Sequence, residues 1–145
     1  MDDMNKVILN VLQENARLSY RKIAEKIGTT AATVSARVQE METEGIIKKY
    51  TVLLDFEKLF KVTLLLTVDA DVSKIKSVTE KIVQLPEVCC VLRVTGPFDL
   101  AVLVRCDGHQ GARQLLDVIN SVEGVRSVAS HVVLETIQES LCVRV

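Results

Sequence analysis

The chain has 145 residues, a formal net charge of -1, 48% hydrophobic residues and a mean hydropathy of +0.26, enough apolar material for one domain or two small ones with buried cores. Near-neutral charge argues against a protein that holds nucleic acid by bulk basicity, so the distribution of charge matters more than its sum. No apolar run reaches the roughly 18 to 20 residues a bilayer needs, and Met1-Asp2-Asp3-Met4-Asn5 is acidic where a secretory signal is basic, so a cytoplasmic location away from membranes is expected.

Met4, Ile8, Val11 and Leu12 recur at helical spacing and predict a first helix over residues 2–14, broken by Asn15-Ala16-Arg17. Ser19 is placed to cap a second helix whose Ile23, Ala24 and Ile27 face inward, and Ala24 is small enough for the next helix to approach closely. Gly28 ends that helix as a left-handed C-terminal residue does. Thr30 caps a third helix, with Val34, Val38 and Met41 at i, i+4 and i+7 as its buried seam. At about 100° per residue, Ala32, Ser35, Ala36 and Gln39 point away from the seam, with Thr33 and Arg37 on one shoulder.

Two short helices joined by a glycine turn read as a helix-turn-helix, with the third helix as the DNA reader. Its outward face has little bulk, which suits entry into a major groove; a polar solvent face is the plainer reading of the same residues. Residues 1–50 hold eight Lys/Arg against seven Asp/Glu, yet between Arg17 and Gln39 five basic residues meet only Glu25. So modest a basic patch calls for a dimer or a larger assembly for tight binding. After Gly45 the run Ile46 to Asp55 is strand-like and forms a connector without a Gly/Ser/Pro-rich linker.

The remainder carries an internal repeat of about 36 residues. Val68-Asp69-Ala70-Asp71 is answered by Val104-Arg105-Cys106-Asp107, and Leu85-Pro86-Glu87-Val88 by Val122-Glu123-Gly124-Val125. The expected elements are strand 62–69, helix 73–85, strand 88–95, strand 99–106, helix 109–121 and strand 125–137. That order makes a four-stranded antiparallel sheet with two helices on one face, a ferredoxin-like βαββαβ unit. The fold class is therefore α+β, with a winged helix-turn-helix in residues 1–50, a connector over 51–60 and the ferredoxin-like unit in 61–145. The sheet face that no helix covers, expected to be rich in Val, Leu and Ile, predicts self-association.

Cys89, Cys90, Cys106 and Cys142 show no Cys-x-x-Cys spacing and read as small buried hydrophobes and free thiols; Cys89 and Cys90 would point to opposite faces of a strand. His109 and His131 lie outside any metal-ligand pattern and read as capping or surface residues. No triad, P-loop or dinucleotide glycine motif is present, so neither a catalytic residue nor a metal or cofactor is expected.

The order and spacing of several fragments resemble the Lrp/AsnC (feast-famine) family of transcription regulators over nearly the whole chain. The matching residues are Ile8-Leu9 with Leu12-Gln13, Arg17-Leu18-Ser19, Ile23-Ala24, Ile27-Gly28, Val34 with Arg37-Val38, Met41-Glu42 and Gly45-Ile46-Ile47-Lys48-Lys49-Tyr50. In the second domain, Thr95-Gly96-Pro97-Phe98-Asp99-Leu100 is similar to the family's Gly-x-x-Asp turn. The family often carries Asp where Asn5 stands, and an aromatic residue where Leu100 stands. The resemblance implies a dimer pairing through connector strands and C-terminal sheets, assembly to tetramers or octamers, and an amino acid or related effector bound between C-terminal domains. It assigns effector contacts to Gly96, Pro97, Phe98, Asp99, Leu100 and Thr136, although Gly96 to Asp99 also fits a plain hairpin turn.

In such a dimer two copies of the third helix would enter successive major grooves of a pseudo-palindromic double-stranded operator. Thr30, Ala32, Thr33, Ser35 and Ala36 would read base edges and thymine methyls, and Arg37 would reach a phosphate or a guanine. Arg17, Ser19, Arg21 and Lys22 would bind phosphates. Two other functions share the architecture: a tetrapyrrole (siroheme-type) decarboxylase, for which His109 and His131 are the only histidines, and a DNA organiser of low specificity.

Overall fold

The computed structural model describes every residue except 1, 60, 141, 142 and 144. It divides into two compact units, one formed by Met1–Leu53 with Gln138–Val145, the other by Leu54–Ile137.

The first unit holds α1 (Asp3–Glu14), α2 (Tyr20–Ile27) and α3 (Ala31–Thr43). Each begins at a side-chain cap: Asp2 accepts from the Asn5 N–H, Ser19 from Lys22 and Thr30 from Thr33. Each cap satisfies an amide that the helix leaves without a partner. Ile8, Ile23, Val34, Val38 and Met41 are fully buried, joined by Val11, Leu12 and Ala24. This is the seam read from the heptad-like spacing. Gly28 has φ 73, the left-handed cap expected at the end of α2.

No wing hairpin follows α3: among the described residues the first strand begins at 61, and residues 48–55 have no regular structure. The connector expected to be a strand is therefore unpaired in one copy, because a strand needs a second backbone to satisfy its amides. Val52, Leu53 and Leu54 are exposed there, Val52 at 73%. The described residues after 137 also depart from the expected boundary, for they belong to the first unit. The Asn10 amide donates to the Val145 carbonyl at 2.9 Å and accepts from its N–H at 3.1 Å.

The second unit holds β1 (Lys61–Ala70), a 3-10 turn (Val72–Lys74), α4 (Ile75–Ile82), β2 (Val88–Arg93), β3 (Leu100–Asp107), α5 (Gly108–Asn120) and β4 (Val125–Val132). The strand order is β2-β3-β1-β4 and every neighbour is antiparallel. Leu64, Leu66, Val68 and Ala70 on β1, and Leu100, Val102, Val104 and Cys106 on β3, point to one face and pack on Val78 and Ile82 of α4 and Ala112, Leu115 and Ile119 of α5. A period of two does this: one residue of slip would turn the whole set to solvent.

β4 ends at Val132, five residues before the expected end. Leu64 pairs with Val132, so continuing that register Ile137 would need Leu59, which precedes β1. Beyond the end of β4, Leu134 and Ile137 are 95% and 91% exposed.

The uncovered sheet face is less aliphatic than expected. By register it carries Leu65, Leu103, Leu92, Ala101 and Ala129 at its middle and Thr63, Thr67, Asp69, Arg105 and His131 around them, because most of the valines alternate inward. Phe56 lies under the Arg105 guanidinium, 3.7 Å from it at the ring centroid, and covers one corner. A register shift between Val88 and Cys90 places Cys89 in a bulge, where it is exposed and not buried as expected. Cys90 is half-buried and Cys106 buried, all three as free thiols, and burial pushes the Cys106 thiol up. Cys142 lies outside the described residues. No helix among them is long and apolar enough to cross a membrane.

Candidate functional site

Three residues, Gly28 to Thr30, separate α2 from α3. The Thr29 N–H returns to the Ala24 carbonyl at 3.0 Å, which closes the end of α2 and delivers Thr30 to the start of α3. Thr30 Oγ1 accepts the Thr33 N–H at 3.1 Å and lies 2.9 Å from the Thr33 hydroxyl, so the two threonines form one small polar cluster at the N-terminus of α3.

Ala32 and Ala36 are exposed, while Thr33 and Ser35 are half-buried. This is the small-residue face expected from helical spacing, with Gln39 exposed one turn further on. Arg17, Ser19, Arg21 and Lys22 are exposed at and before the first turn of α2. Ser19 is partly committed as the cap, accepting the Lys22 N–H at 3.3 Å, and Arg21 Nε donates to Glu25 Oε1 at 3.0 Å. Both partners of that ion pair stand in solvent, where such a pair is worth little and yields readily to a phosphate.

Arg37, expected to reach a phosphate or a guanine, is engaged within the unit. Its Nη1 donates to Asn5 Oδ1 at 3.0 Å and to the Asp2 carboxylate. The Asp2 carboxyl is held below the usual carboxylate range, first by the Asn5 N–H and then by Arg37. Sequence reading also missed Tyr50, whose hydroxyl donates to Glu42 Oε1 at 2.7 Å and ties the start of the connector to the end of α3. Burial and Glu42 push the Tyr50 phenol up to about 12. A helix-terminal glutamate eight residues before an aromatic residue was the only sequence signal for this pair.

The residues assigned to an effector do not converge within one chain. Gly96 has φ 128, and Gly96 and Pro97 are exposed while Phe98 is half-buried. Asp99 stitches the turn to the end of β1: its N–H donates to the Val68 carbonyl at 3.0 Å and its carboxylate accepts from Ala70 at 2.9 Å. Leu100, expected beside the effector, is fully buried, because as the first residue of β3 its side chain points to the helix-covered face.

Thr136 lies at the opposite end of β1, on a recess of about 300 Å³ with Glu57, Lys61, Thr63, His109 and Glu135. With β1 rising roughly 3.3 Å per residue, the turn and the recess are roughly 20 Å apart. Lys61 is bonded to Asp107, and Asp107 makes no side-chain cap to α5. His131 is exposed on β4. No group of three or more His, Cys, Asp or Glu among the described residues could hold a metal ion.

Residues 1–42 match the AsnC-type helix-turn-helix domain, and residues 61–141 match the Lrp/AsnC ligand binding domain. The chain is 34% identical over 140 residues to an uncharacterised HTH-type transcriptional regulator of Pyrococcus furiosus, covering 96% of this chain and 95% of that protein. Among solved structures it is similar to an AsnC family transcriptional regulator from Agrobacterium tumefaciens (TM-score 0.88, 26% identity, 99% and 96% of the two chains). The fold is likewise that of a feast or famine regulatory protein from M. tuberculosis complexed with L-methionine (TM-score 0.90, 21% identity, 99% and 98%).

Proposed function

The chain belongs to the Lrp/AsnC family of transcriptional regulators, and from that premise we propose that it binds a pseudo-palindromic operator through α3 as a dimer or larger assembly and answers to an amino acid or related small molecule. The observation that carries the reading is the capped α3, whose first turns expose only the small side chains of Ala31, Ala32 and Ala36, beside the basic N-terminal turn of α2. Short side chains bring the backbone of α3 near the base edges, where Thr30, Thr33 and Ser35 offer hydroxyls and Ala32 and Ala36 offer methyls to thymine. Arg17, Ser19, Arg21 and Lys22 then set register on phosphates without selecting sequence.

For the effector, the turn at Gly96–Asp99 supplies exposed backbone and a carboxylate, and the recess at Thr136 supplies Lys61, His109 and two glutamates. Their separation in one chain supports a ligand held between copies, with the turn from one and Thr136 from another. The half-apolar sheet face around Leu65 and Leu103, and the exposed connector, support pairing of two copies.

The test is binding to the DNA upstream of its own gene against scrambled DNA of equal length, over a salt series, with and without a panel of amino acids that includes L-methionine. The proposal expects a preference of about a hundredfold or more at physiological salt, changed by one panel member. Equal binding to both DNAs would replace it with a low-specificity organiser, and no binding would withdraw the DNA reading altogether.

A further inference from the structure

Asn5 is the only buried polar side chain among the described residues, at 8% exposure. It sits in the first turn of α1, and its Oδ1 accepts from Arg37 Nη1 at 3.0 Å. The same Arg37 nitrogen reaches Asp2 Oδ2, while Asp2 Oδ1 accepts the Asn5 N–H at 2.9 Å. One carboxylate thus caps α1 and grips the middle of α3, and one guanidinium holds both acceptors of that turn.

The position of Arg37 gives this a mechanical meaning. Three residues after Val34 and one before Val38, it stands at the margin between the buried seam of α3 and its exposed face. Packing of the aliphatic seam decides which face of the helix is buried but supplies no directional bond at its flank. Hydrogen bonds from the flank are directional and add a restraint on the roll of the helix about its axis. If Arg37 swung out to a phosphate, the Asn5 oxygen would be left buried without its donor. The Asp2 carboxylate would then face the phosphate backbone uncompensated. Both consequences oppose the move.

We propose that Arg37 is a positioning residue and not a contact to DNA: with Asp2 and Asn5 it clamps α3 to the first turn of α1, so that Ala32, Ser35 and Ala36 are presented at a fixed roll angle before DNA arrives. The inference rests on the reading of α3 as the groove-entering helix. The clamp itself is a statement about the first unit and is tested without DNA as well.

In the DNA arm, Arg37→Gln, Asp2→Asn and Asp3→Asn are titrated against preferred and scrambled DNA over a salt series. Asp3 is the charge control, a 97% exposed carboxylate next in sequence to Asp2 that pairs with Lys6. Arg37→Gln and Asp2→Asn should each reduce the preference for the specific site about fivefold to tenfold with the salt slope unchanged, since no phosphate contact is lost. Asp3→Asn should leave the preference intact, and Asn5→Asp added to Asp2→Asn should restore it by returning a carboxylate to Arg37. If instead Arg37→Gln weakens both DNAs alike and flattens the slope by about one unit, while Asp2→Asn strengthens both, Arg37 is a phosphate contact restrained by Asp2 and the proposal is overturned.

The second arm is thermal unfolding of the full chain. A clamp requires that Asp2→Asn and Arg37→Gln are not additive, the double variant melting no lower than Arg37→Gln alone; additive losses overturn it. Should Arg37→Gln fail to fold, Arg37→Lys takes its place in both arms. A wild-type protein that does not distinguish the two DNAs would count against the proposed function, and the unfolding cycle would still decide the clamp.

Discussion

At Gly28 the backbone is left-handed, with φ 73, but a Cβ there would meet nothing within 4 Å. At Gly124 φ is 100, and a Cβ would lie 2.8 Å from Lys74 Cβ and 3.0 Å from Val78 Cγ2. Gly28→Ala should therefore cost about 1 kcal/mol, from backbone strain alone. Gly124→Ala should cost roughly 2–4 kcal/mol, because strain and overpacking add. Calorimetry of the two variants checks the order, and equal losses would contradict the contact at Gly124. Tyr50 gives a pH signature with a definite sign. Its phenol is raised to about 12 from an ordinary 10, so the folded state keeps its proton longer than the unfolded chain. That contribution is complete below pH 10 and disappears as pH rises to about 12. Tyr50→Phe should remove this part of the alkaline loss of stability, measured as the melting temperature between pH 9 and 12. The caps at Ser19 and Thr30 were legible as residues, since a hydroxyl ahead of an apolar repeat has few other uses. The partners of Arg37 were not, because Asp2 and Asn5 are more than thirty positions away and nothing in local spacing ties them to α3.

Helices were located well by their apolar period, and each began within a residue or two of its cap. Strand ends were not, because a strand ends where its partner does. β2 stops at Arg93, opposite the first residue of β3, the expected β4 end at Ile137 has no β1 residue in register with it, and residues 48–55 stay unpaired for want of any partner in the same chain. At this scale the two helices of the reader make separable predictions. Thr30→Ala removes the hydroxyl that caps α3 and should lower stability by about 1 kcal/mol. It should also weaken DNA binding, read as a shifted titration midpoint on the preferred site. Replacing Arg21 or Lys22 by Gln should weaken preferred and scrambled DNA alike and flatten the salt slope by about one unit each. Changing Ser35 should alter preference at one base pair; a uniform loss would remove it from the reading face. The exposed bulge at Cys89 shows the same limit from the other side: alternation along β2 predicts facing only until a register shift intervenes.

For the whole molecule, the sheet face opposite the helices is the surface on which assembly should depend. Leu65 is 41% exposed there and pairs across the strand boundary with Leu103. Leu65→Glu should leave the fold intact, since the side chain is outside the core, and shift the protein toward monomer in light scattering. An unchanged mass would place the interface elsewhere. The amino-acid sequence alone determined the family, the helix-turn-helix with its caps, the βαββαβ order and the apolar seams, because these depend on periods and turn residues only a few positions long. The tertiary structure decided which residues are free to act: it buried Leu100, bonded Asp99 to the end of β1, carried Thr136 to the far end of that strand and closed Arg37 onto Asp2 and Asn5. Those outcomes depend on strand register and on contacts between distant segments, which a linear pattern does not encode.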